Sequence, residues 1–166
     1  MNSLIKKLSD MTNFIAVKIS LVLIIALTIL TTMGVVYRYV LQMPLVWLYE
    51  TSVVIFAWMI FLGASIAFKQ REHIKLEFLV SSVPENVARM LKIIIEIITI
   101  AFLVFVIKEG FEIVKNTWNQ TYNTINLSTA WFYLSFPVSA VFMVIHLIEA
   151  VLELLFEKNT MAKEGQ

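Results

Sequence analysis

From Val46 to Phe68 the chain reads VWLYETSVVIFAWMIFLGASIAF, with Glu50 its single formal charge, and Arg38 stands before this run while Lys69, Arg71, Glu72, His73 and Lys75 follow it. A helix needs about 20 mostly apolar residues to cross the hydrocarbon of a bilayer. The run therefore reads as a transmembrane span with polar ends. Hydrophobic residues make up 60% of the 166 and charged residues 15%, against about 45–50% and 25% in soluble domains. A soluble chain of this length could not hide so much apolar surface.

The formal net charge of +1 supplies no basic field of the kind nucleic-acid binding requires, so no nucleic acid is expected as a partner. The absence of cysteine excludes disulfides, thiolate metal sites, iron–sulfur clusters and covalent haem attachment through this chain. Gly34, Gly63, Gly110 and Gly165 are its glycines; they write neither a Walker A loop nor a dinucleotide fingerprint. No cofactor and no enzymatic reaction are expected.

Three further spans follow from length and apolarity. The first covers about 14–37, with Lys18 near enough to its start to snorkel; its uncharged run is too long for a signal peptide and lacks a small-residue cleavage site. The third covers about 87–107 after Ser82-Val-Pro-Glu85, a capping-box pattern, and its periodicity carries the helix to about Asn116, with Lys108 and Glu112 one turn apart. The fourth covers about 130–151, opened by Trp131 and Tyr133 at interface depth and with Pro137 in its first turns. Before the first span, Leu4, Ile5, Leu8 and Met11 oppose Lys6, Lys7 and Asp10, the pattern of a short interfacial helix, although a frayed polar leader fits too. The fold class expected is an all-α integral membrane protein, one four-helix domain over 1–156, with a solvated tail at 157–166. An antiparallel bundle and an open curved layer both remain open.

Of the 13 lysines and arginines, Arg38, Lys108 and Lys115 fall on one side of this topology and the others on the side of the termini. The positive-inside rule then puts both termini in the cytoplasm.

Ionisable groups within spans are functional candidates by default. Glu50 lies at the start of the second span and Arg38 at the end of the first; the structural reading is an ion pair closing the hairpin, the functional one a proton or cation relay. Trp47, Glu50, Val54, Trp58 and Phe61 share a stripe of the kind that faces a partner helix, which lipid-facing aromatics would imitate. Gly63 and Ala67 make a small-xxx-small step. Lys69, Arg71, His73 and Lys75 form a cytoplasmic boundary cluster, solvated or in contact with lipid headgroups. Glu96 is explained by Lys92 one turn away, and His146 shares a face with Glu149. With His73 outside the lipid, a bis-histidine haem has no second ligand, which removes the anchor subunit of a respiratory complex as a reading. Asn119-Gln-Thr121 and Asn126-Leu-Ser128 are polar loop composition.

In order and spacing, Arg38-Tyr39, Pro44-Leu-Val-Trp47, Glu50, Trp58, Phe61-Leu-Gly-Ala64 and Glu72-His73-Ile74 resemble the small membrane subunit of tripartite ATP-independent periplasmic (TRAP) transporters, the DctQ-like family. Tyr49 departs from the second acid often found beside this glutamate. The resemblance implies a subunit of a bacterial inner-membrane complex without a reaction of its own, clasping a large membrane subunit that moves an organic acid with sodium after a periplasmic binding protein has captured it. The whole chain looks most like the sialic acid branch. The competing class is an autonomous small proton-coupled transporter, for which Glu50 is the candidate carboxylate.

Overall fold

The computed structural model describes residues 2–70 and 84–164. Its helices are α1 (Asn2–Val35), α2 (Val46–Lys69), α3 (Glu85–Thr117) and α4 (Ala130–Glu164). All four are long and apolar enough to cross a membrane, and the expected spans fall one to each helix. Arg71, His73, Lys75 and the Ser82 cap lie outside the described residues.

The N-terminal segment is not a separate interfacial helix, because α1 runs unbroken for 34 residues. No glycine or proline occurs before Gly34 to end it, and at 1.5 Å per residue the helix reaches about 50 Å, well beyond a hydrocarbon core of about 30 Å. Its first turns are also held: Ser9, Thr12, Ala16 and Ser20 are buried while Leu4, Leu8, Met11 and Phe14 are exposed. Small side chains at helical spacing let another helix approach closely, which is how helices associate in lipid. Further along, the hydroxyls of Thr28, Thr31 and Thr32 donate to carbonyls one turn back at 2.8 Å, so these groups enter the apolar region already satisfied. The region expected as a solvated tail after residue 156 continues α4 as helix to Glu164.

The end of α1 widens into a π-helical turn, Val36–Val40, where the Leu41 N–H reaches the Val36 carbonyl at 3.1 Å. Gln42 then takes a left-handed backbone with φ 53°, and Met43 precedes Pro44, which disfavours helix at that position. The chain reverses there into α2. Gly34 lets the two helices close up, since a Cβ on it would stand 3.0 Å from Leu48 Cδ2.

Half of the most apolar stretch of α4 is buried within the chain, against 11% for α1 and α3. The main helix pairs are α3 with α4, α1 with α2, α2 with α4 and α1 with α4. The molecule is therefore an open layer centred on α4, with α3 attached chiefly through it. Leu103 of α3 joins Ala140, Met143 and Leu147 of α4 in the buried cluster, with Ala64 and Phe68 of α2 against it. At the other end of the same seam, a Cβ on Gly110 would meet Pro137 at 3.2–3.4 Å.

Candidate functional site

The polar groups gather at the two ends of the layer. At the end where α1 starts and α2 and α4 finish, Lys69 donates to Glu149 Oε2 at 2.7 Å and also meets Asp10 Oδ1 at 2.7 Å. One ammonium thus ties three helices. Its side chain and that of Glu149 are 19% and 9% exposed, so this pair is largely removed from water, whereas Asp10 stands at its open edge. Beside it the Ser9 hydroxyl and His146 Nδ1 share a 2.6 Å hydrogen bond between buried side chains. Lys69, expected in a boundary cluster that is solvated or in contact with headgroups, is instead drawn inward by these two carboxylates. Glu96 is buried as well.

At the opposite end, residues 118–129 fold back on themselves. The Thr129 N–H donates to the Gln120 carbonyl at 2.8 Å and the Tyr122 N–H to the Leu127 carbonyl at 3.1 Å, with a bridge between Thr121 and Ser128. The tip of this loop sits on Glu50, whose carboxylate accepts from the backbone N–H groups of Asn123 at 3.2 Å, Thr124 at 2.9 Å and Ile125 at 3.2 Å, and from the Thr124 hydroxyl. Burial, with smaller contributions from Tyr133 and Glu50, raises the phenol of Tyr122 above its ordinary pKa.

The Arg38–Glu50 ion pair expected from the sequence is not formed. Glu50 takes the denser set of donors that the loop presents, and the Arg38 guanidinium lies 5.6 Å from the Tyr39 ring centroid. Lys108 approaches Glu109 at 3.9 Å, both exposed.

The stripe Trp47, Glu50, Val54, Trp58 and Phe61 is turned toward its own chain. Trp58 Nε1 donates to the Trp131 carbonyl at 2.9 Å, Phe61 meets Phe136 with ring centroids 4.8 Å apart, and Val54 is buried. Trp47, at the helix start, stays 39% exposed. Gly63 lies on the other side of the helix: at about 100° per residue it aligns with the exposed Tyr49, Phe56 and Ile60, and a Cβ there would meet nothing within 4 Å. The aromatic stripe and the glycine step thus occupy opposed faces. Sequence reasoning did not find the Ser9–His146 bond or the Asp10–Lys69–Glu149 clasp. Ser9 and Asp10 carried the available signal, polar positions on a helix whose other face is apolar.

These features define a helical multi-pass membrane protein whose identified charge contacts hold its own helices and loop in register, with no cluster of three His, Asp or Glu suited to a metal among the described residues. The family model of the DctQ component of tripartite ATP-independent periplasmic transporters matches residues 27–157; the chain belongs to that family and is a TRAP transporter small permease subunit. Such subunits work with a large membrane permease and a periplasmic binding protein. The chain is 27% identical over 151 residues to the sialic acid TRAP transporter small permease protein SiaQ of Vibrio cholerae serotype O1, covering 91% of this chain and 87% of that one. It is 27% identical over 101 residues to the C4-dicarboxylate small permease protein DctQ of the same organism, covering 58% and 44%. A third match, 26% over 117 residues, takes 68% of this chain but 18% of the sialic acid TRAP transporter permease protein SiaT of Haemophilus influenzae.

Proposed function

We propose that this chain braces a large permease subunit during sodium-coupled, binding-protein-dependent uptake of an organic acid, sialic acid first among the candidates. The observation that supports the reading is the match to SiaT: a segment similar to this chain takes 18% of a much longer permease protein, so in that relative it shares one polypeptide with the remainder of the permease. The sialic acid assignment rests on the fuller coverage of SiaQ than of the dicarboxylate relative. On this reading the chain itself catalyses nothing, sits in the bacterial inner membrane with both termini cytoplasmic, and presents the 118–129 loop to the periplasm.

The outward face of α2 is the proposed seat of the large subunit. Phe56 and Ile60 are exposed there and Gly63 leaves open space, so a helix could approach closely, as association in lipid requires. Trp58, Phe61 and Glu50 act from behind this face by fixing α2 to α4 and the loop. The autonomous transporter reading finds no support in Glu50, which lies at the helix end and is engaged by backbone donors.

Reconstitution separates the two readings. Proteoliposomes with this chain alone should show no uptake of labelled sialic acid, and adding the large subunit, the binding protein and an inward sodium gradient should restore it. Proton-coupled uptake by the chain alone would overturn the bracing role, and uptake of a C4-dicarboxylate in place of sialic acid would reassign the substrate. Within the complex, Gly63→Leu should reduce co-purification of the large subunit far more than Leu27→Ala at matched expression. Equal recovery would move the interface off this face.

A further inference from the structure

We propose that the groove between the end of α1 and the start of α2 binds one phospholipid of the adjacent leaflet, its phosphate on Arg38 and an acyl chain along the cleft. The groove holds about 440 Å³ and is lined by Val35, Arg38, Tyr39, Leu45, Tyr49 and Ser52 among others, a volume within the range of small-ligand sites. It exists because of the local backbone. The π-helical turn that carries Arg38 widens the end of α1, and the reversal through Gln42 and Pro44 separates the helix ends above the close contact of Gly34 with Leu48. Such π turns often mark functional positions.

The chemistry at its mouth is that of an anion site. Arg38 carries a guanidinium with five fixed donors, and Glu50, the nearby acid on the facing helix, is occupied by the 123–125 backbone. Among the described residues Arg38 lies against the Tyr39 ring, which leaves its donor edge free. Arginine at the polar boundary of a span snorkels to headgroup depth, and Tyr39, Trp47 and Tyr49, all exposed, mark the same depth as interface aromatics do. The abundant anion at that depth is a lipid phosphate, which guanidinium holds with paired charge-assisted hydrogen bonds. The lining around it includes the apolar side chains of Val35, Leu45 and Leu48.

Native mass spectrometry of the full chain with its large subunit, delipidated and then titrated with dioleoylphosphatidylglycerol, tests the site. Wild type should retain one lipid per chain after bulk lipid is removed. Arg38→Gln should lower its apparent affinity by about tenfold or more, the scale of a lost charged hydrogen-bond pair. Val35→Phe, an added ring at an exposed groove position, should lower occupancy without unfolding the chain, whereas Lys115→Gln, an exposed cation near the same end of α3, should change nothing. Dioleoylglycerol, which has the tails without the phosphate, should not be retained. Wild-type retention by Arg38→Gln, or equal retention of dioleoylglycerol, would overturn the phosphate site. A photo-crosslinker at position 35 that captures the large subunit and no lipid would show the groove to be a protein interface.

Discussion

Glu50 accepts from three consecutive backbone N–H groups that lie 73 to 75 residues away in sequence, so its contribution depends on having oxygens and no hydrogens. Glu50→Gln presents an amide NH₂ to those donors in place of one oxygen. Hydrogen exchange at Asn123, Thr124 and Ile125 should accelerate toward that of an open loop, while the sodium dependence of transport stays as in wild type; unchanged exchange would mean that the loop is held elsewhere. At the other end, Lys69→Gln leaves the largely buried Glu149 without its cation, a loss of about 3 kcal/mol for a broken buried pair. Thermal unfolding in detergent should show most of that loss recovered in the Lys69→Gln, Glu149→Gln double variant, by the logic of coupled sites. Asp10→Asn should change little, because Asp10 is exposed. The sequence made Glu50 and Arg38 conspicuous, yet it could not pair them correctly. Nearness along the chain suggested a hairpin ion pair, whereas the true donors belong to a loop that reaches Glu50 only after two more helices have been placed.

Two glycines make the same point for helices. Gly63, followed four residues later by Ala67, looked like a site of close helix approach, and it opens onto empty space. Gly110 stands between Glu109 and Phe111 without a small partner in register, yet it is the one pressed against Pro137 across the α3–α4 seam. A spacing rule sees one helix at a time, and the small residue opposite Gly110 is a proline on another helix. Gly110→Leu should therefore destabilise the isolated chain by about 1–3 kcal/mol, the usual effect of overpacking, read as a lower melting temperature in detergent. Gly63→Leu should leave that temperature unchanged and act on the complex alone. The four helices themselves were legible because hydrophobic length is a strong signal. The continuity of α1 was harder to read, since a charged amphipathic start resembles an interfacial helix until Ser9 and Thr12 are seen packed inside.

For the whole molecule, the proposed orientation with both termini in the cytoplasm, drawn from the positive-inside rule, is open to a direct test. Cysteines introduced at Lys7 and at Asn123, in a chain that has none of its own, should be labelled from opposite faces of the membrane, with position 123 reached by an impermeant reagent in intact spheroplasts. Labelling of both from outside would reverse the orientation. The central place of α4 has a further consequence for synthesis. A ribosome delivers α1 and α2 first, and these two can dock on each other at once through Gly34 and Leu48. Then α3 enters the bilayer while the helix that supplies its main packing surface is still unmade. Between the release of residue 117 and the arrival of residue 150 it is a lone apolar rod carrying a buried-to-be Glu96. A nascent chain arrested before Ala130 should hence be degraded faster than one completed through Leu154, and in that interval a membrane chaperone or quality-control protease has its best opportunity to engage this subunit.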